Sequence, residues 1–116
     1  MQRVVVSGAS IGTQGLLETL IASQLLLTVG CYEPDESLID MVGLTALSQI
    51  CQNTFAKVTP KVLKAADILI LTDTGSPDAD DFIETNIAAI RKVLNSAMAA
   101  GFTGRITVSY THLTLP

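Results

Sequence analysis

Three consecutive valines, Val4, Val5 and Val6, run into Ser7-Gly8-Ala9-Ser10-Ile11-Gly12, and from Thr13 onward apolar residues recur at helical spacing as Leu16, Leu17, Leu20 and Ile21. An unbroken β-branched run leaves no face for water, so it reads as a strand buried on both sides within a parallel sheet. Gly8 and Gly12 put little side-chain bulk where that strand meets the helix. Free backbone N–H groups and the positive end of a helix dipole converge at such a turn, which makes it a ready phosphate site.

The rest of the chain continues the alternation. The first helix is predicted from Gly12 or Thr13 to about Ser23, and a second buried strand from Leu25 through Tyr32 to Glu33. Residues 34–37 (Pro-Asp-Glu-Ser) break that strand, with Asp35 or Ser37 available as an N-cap. Apolar residues at Leu38, Met41, Val42, Leu44, Leu47 and Ile50 predict a second helix ending near Gln52 and Asn53. A short strand over residues 55–58 and a helical turn from Pro60 to Lys64 follow. Residues 66–72, Ala-Asp-Ile-Leu-Ile-Leu-Thr, form the strongest strand after the first, and residues 73–77 read as a turn. The longest helix is predicted over residues 78–100, with Ile83, Ile87, Ile90, Leu94 and Ala97 as its core face and Gly101 at its end. Residues 105–107 begin another strand. The order β-α-β-α-(β)-β-α-β specifies an α/β fold, a doubly wound parallel sheet with helices on both faces.

Composition excludes several function classes. A length of 116 residues permits one domain, and 48% hydrophobic against 16% charged residues demands a packed core. The net charge of −4, with scattered Lys and Arg, argues against a nucleic-acid face. No apolar run reaches the roughly 20 residues of a membrane span. Met1-Gln2-Arg3 leads straight into the first strand, so no leader is expected. Cys31 and Cys51 are too few for a disulfide framework or a metal site, and reduced thiols in the cytoplasm are expected. The one histidine, His112, leaves the body of the chain without His-based acid–base chemistry.

Two further positions complete a candidate nucleotide site. Glu33 stands at the carboxyl end of the second strand, 21 residues after Gly12. An acid there accepts hydrogen bonds from the adenosine ribose hydroxyls and repels the extra phosphate of NADP, which favours NAD. Thr72-Asp73-Thr74-Gly75 ends the fourth strand, where open α/β sheets bind ligands, and Gly75 lets backbone lie against a ribose or pyrophosphate. Asp67 lies at the strand's entry, away from that edge, and reads as structural. Asp78, Asp80 and Asp81 read as helix-opening acids and not as a cation site.

These residues resemble the N-terminal, NAD-binding half of the lactate/malate dehydrogenase family. Ala66-Asp67-Ile68-Leu69-Ile70-Leu71 is similar to the family's ADLVVI strand. Asn86-Ile87-Ala88-Ala89-Ile90, then Met98-Ala99-Ala100-Gly101-Phe102-Thr103-Gly104, is similar to its N-x-x-I-F and M-A-x-G-F-x-G helix and exit. With residues 4–12 and 33–37, the similarity covers about residues 2–107. It implies a Rossmann-type domain with NAD contacts at Gly8, Ser10, Ile11, Gly12, Glu33, Thr74 and Gly75. The parent enzyme would transfer a hydride between the nicotinamide and a small 2-oxo or 2-hydroxy acid, and would be a homo-oligomer.

The departures from the family are specific. The segment from Gly75 to Asn86 is several residues shorter than the family's mobile loop and carries no arginine, and Asp73 stands where the family has a small neutral residue. No catalytic residue is carried over, and the chain itself is expected to be inactive, truncated after about the fifth strand. Residues 108–116 resemble an in-frame translation of a sequencing-library adapter and are expected to be artefactual, His112 included. Two alternatives remain: a non-enzymatic NAD(H)-sensing module, and a short-chain dehydrogenase fragment, whose opening Ser7-Gly8-Ala9-Ser10-x-Gly12 resembles but whose Tyr-x-x-x-Lys is absent. An isolated fragment with an open sheet edge is expected to be marginally stable or aggregation-prone.

Overall fold

A computed structural model of the chain describes residues 2–75 and 79–109. The elements are β1 (Gln2–Ala9), α1 (Ile11–Ile21), β2 (Leu27–Tyr32), α2 (Met41–Ile50), β3 (Thr54–Val58), a 3-10 helix (Pro60–Ala65), β4 (Ile68–Thr74), α3 (Phe82–Ala100) and β5 (Arg105–Ser109). All strand pairings are parallel and the sheet order is β3-β2-β1-β4-β5, a Rossmann-type arrangement. The chain winds outward from β1 through β2 to β3, crosses back to β4 on the other side of β1, and continues to β5. The strand order therefore reverses between β1 and β4.

The three valines explain the layering. Val4 and Val6 face one side, with Leu17 and Ile21 of α1, Leu44 of α2, and Val29 and Cys31 of β2. Val5 faces the other, with Leu69 and Leu71 of β4, Leu63 of the 3-10 helix, and Val93 and Ala97 of α3. Each Val, Leu or Ile side chain taken out of water here contributes about 1.5–3 kcal/mol before entropy is counted. Burial pushes the Cys31 thiol up to about 11, so it stays protonated in the core. Tyr32 enters the core on the opposite face, with Val5, its hydroxyl without a hydrogen-bond partner among the described residues. No helix among them is long and apolar enough to cross a membrane.

Several predicted boundaries shift, each for a local reason. Asn53 is buried and accepts the Leu27 N–H at 2.9 Å while donating to the Leu20 and Ser23 carbonyls. That staple starts β2 at Leu27 and leaves Leu25 and Leu26 exposed. Asp40, not Asp35 or Ser37, caps α2, accepting from the Gly43 N–H at 2.9 Å, and Leu38, Val42 and Ile50 face solvent. In the first half of α3 the predicted core face is turned by one position. In the second half it holds, with Ile90 and Leu94 packed against the Val5-side core and Ala97 buried in it. Ile83 is 60% exposed and Ile87 lies outside as well, whereas Phe82, Asn86, Val93 and Ala97 are buried. Asp80 and Asp81 precede α3, and Asp81 makes no side-chain cap bond; Asp78 lies outside the described residues. Asp67 is structural, accepting the Arg3 N–H at 2.8 Å.

β5 extends to Ser109 and so takes in Val108, paired with Leu71, and Ser109, paired with Thr72. These are the first two residues of the segment expected to be artefactual; residues 110–116, with His112, lie outside the described residues. All five residues of β5 are exposed, so the outer edge offers a template for a further strand. Val108 is 57% exposed. Val108→Lys should change unfolding free energy by less than about 0.5 kcal/mol while raising the concentration at which the chain stays monomeric in sedimentation. A loss of about 2 kcal/mol or more would show that this face is covered.

Candidate functional site

The reversal between β1 and β4 is built on a close approach that only glycine allows. The β1–β4 register shifts between Ser7 and Ala9, and Gly8 there has φ +138°. A Cβ on Gly8 would collide with the Thr72 hydroxyl and lie 2.8 Å from the Thr72 carbonyl oxygen. The Gly75 N–H then donates to the Ala9 carbonyl at 3.0 Å, tying the end of β4 to the turn after β1. Gly8 is thus held by β4, and Gly75, at φ +83°, lies open on the same edge.

Hydroxyls and one carboxylate knit the turn together. Aligned from Gly8, the second and third glycines of a G-x-G-x-x-G fingerprint fall on Ser10 and Thr13. Ser10 caps α1: its Oγ accepts the Thr13 N–H at 3.2 Å, and its own N–H donates to Thr13 Oγ1 at 3.2 Å. The Ser10 hydroxyl donates to Asp73 Oδ1 at 3.0 Å. Thr72 donates to the Ser7 carbonyl at 2.7 Å. Its single proton is thereby spent, so in the 2.7 Å contact between Thr13 Oγ1 and Thr72 Oγ1 the donor is Thr13. Thr13 is fully buried and Asp73 only 2% exposed.

The other predicted residues gather at the same edge. Ile11 opens α1 with its side chain in solvent, and Gly12 follows. Their N–H groups precede the first helical bond, from the Gln14 N–H to the Ser10 carbonyl, so they have no intrahelical acceptor. Tyr32 pairs with Ser7, which places the next residue, Glu33, beside the turn. Glu33 is exposed and has φ +40°, a left-handed conformation uncommon for glutamate. Its N–H donates to the Val58 carbonyl at 3.1 Å. Thr74 is fixed by Asn86, whose Oδ1 accepts the Thr74 N–H at 2.8 Å and whose Nδ2 donates to the Thr74 and Phe82 carbonyls.

Sequence reasoning missed Thr13 and Asn86 as parts of this edge. Thr13 carried one signal, its place five residues after Gly8, where the third glycine of the fingerprint belongs. Asn86 carried one as well, an amide leading into the apolar run Ile87-Ala88-Ala89-Ile90. Asn86→Ala removes the partners of the Thr74 backbone groups in a part-buried setting, at a cost of about 1–3 kcal/mol. Chemical denaturation should show that loss, and hydrogen exchange should show the Thr74 amide deprotected. A loss below about 0.5 kcal/mol with unchanged exchange would contradict the clamp.

No family model and no curated protein sequence matches the chain. Solved structures do. A minor L-lactate dehydrogenase from Enterococcus mundtii in its ligand-bound form superposes with a TM-score of 0.74 at 17% identity, over 97% of this chain and 38% of that one. Its ligand-free form gives 0.75 at 19% identity, over 95% and 36%. A lactate dehydrogenase from a Medee basin deep-sea metagenome library gives 0.72 at 14% identity, over 95% and 38%. The chain is therefore similar in fold to these proteins and spans little more than a third of their length.

Proposed function

We propose that this chain is the NAD-binding portion of a lactate/malate-type 2-hydroxyacid dehydrogenase. The observation that carries the reading is the convergence, at the reversal point of the sheet, of the α1 N-terminus, Glu33 and the Thr74–Gly75 backbone. Ligands of open α/β sheets bind at that point. The residues present suit the group. The Ile11 and Gly12 N–H groups would meet a phosphate, the exposed Glu33 carboxylate would accept from the ribose diol, and the open backbone at Gly75 would lie along the next ribose. Bound NAD would supply hydride chemistry; this chain's residues bind and orient it. In the whole enzyme the partner would be a small 2-oxo or 2-hydroxy acid, its catalytic groups lying in sequence beyond this chain, and the enzyme a homo-oligomer.

One feature favours a second reading, a nucleotide-sensing module without catalysis. The segment between Gly75 and α3, residues 76–81, is Ser-Pro-Asp-Ala-Asp-Asp and contains no arginine. A substrate carboxylate or carbonyl would find no cation there.

Titration of the chain with NADH, read by nicotinamide fluorescence, tests the binding both readings share. Saturable binding is expected. Glu33→Gln should weaken NADH about tenfold, the scale of one charge-assisted hydrogen bond, and narrow the preference over NADPH. Absence of saturable NADH binding at millimolar concentration would overturn the proposal.

A further inference from the structure

The geometry points to Asp73 as the residue that sets how much negative charge the turn accepts, an inference that rests on the nucleotide-binding reading above. A phosphate is attracted to the start of α1 because its first N–H groups and the helix dipole amount to about half a positive charge. In this chain a carboxylate already lies there. Asp73 Oδ1 is 3.0 Å from Ser10 Oγ, and Ser10 is the N-cap of α1. Ser10 Oγ also takes the Thr13 N–H, so one of the three leading donors is consumed within the protein. With Asp73 only 2% exposed, water screens its charge poorly.

A diphosphate entering the turn therefore meets an opposing charge held from below by the Ser10 hydroxyl. Nucleosides without phosphate, bound through Glu33 and the sheet edge, do not. Asp73 is accordingly a specificity-determining residue. It lowers the affinity of the turn for diphosphates while leaving the nucleoside end alone, and the exposed Glu33 keeps its own role at the ribose.

The test is calorimetric titration of the full chain and of Asp73→Asn and Asp73→Ala with adenosine, ADP and NADH. Asn keeps the shape and an acceptor for the Ser10 hydroxyl, while Ala removes both, so the pair separates charge from packing. Both variants should bind ADP and NADH about tenfold tighter than the parent chain, with adenosine unchanged within about twofold. If all three chains bind adenosine and NADH but the variants gain nothing on ADP, this inference falls and the nucleotide-binding reading stands. If none of the chains binds any of the three, both fall together. A gain of the same size on adenosine would also overturn it, because the effect would then not be one of phosphate charge.

Discussion

The close approach of β1 and β4 at Gly8 is the constraint on which the structure depends. It brings the Thr72 hydroxyl and the Thr72 and Asp73 carbonyl oxygens to where a Cβ would stand. From that contact follow the register shift after Ser7, the bond from Gly75 to Ala9, and the burial of Thr13 against β4. In a G-x-G-x-x-G turn, packing glycines keep helix and strand close. Here a threonine holds the same seam with a directed hydroxyl chain from Thr13 through Thr72 to the Ser7 carbonyl. A buried threonine is tolerable because every one of those hydroxyls has a partner.

How far the sequence spoke for itself depended on whether a residue's partner was local. Val4, Val5 and Val6 announced a strand buried on both faces, and the clusters on the two sides of the sheet contain them as that pattern requires. The parallel sheet with helices on both faces followed from the alternation of strands and helices, whereas the strand order and its reversal next to β1 came only with the structure. The helix faces were harder. In α3, Ile90, Leu94 and Ala97 lie on the core side as their spacing implies. Ile83 and Ile87 keep helical spacing as well, but in this first half of the helix the residues that pack are one position away. There Phe82 and Asn86 meet the sheet, because Asn86 is drawn inward by the backbone of Thr74. Likewise Leu25 and Leu26 looked like strand residues until Asn53, 26 residues from Leu27, fixed the start of β2. Hydrophobic period carries no information about a distant amide.

The candidate site was legible in part for the same reason. The glycine turn and Glu33 were visible from spacing, and the fold places both on one edge. The charge balance of that edge was not visible, since it depends on a contact between Ser10 and Asp73 across 63 positions. Two carboxylates now frame the edge in opposite senses: an exposed one at Glu33 suited to a ribose, and an enclosed one at Asp73 unfavourable to phosphate. A neutral residue at position 73 would leave the α1 terminus open to a diphosphate.

Nucleotide binding at this edge is open to a map of backbone amide shifts in the isotopically labelled full chain on titration with NADH. The largest shifts should fall on residues 8–13, on Glu33 and on Thr74 and Gly75. The opposite edge, at Arg3, Asp67 and Arg105, should not move. Shifts centred on the exposed face of α2 or spread along β5, with the Gly8 turn unmoved, would contradict it.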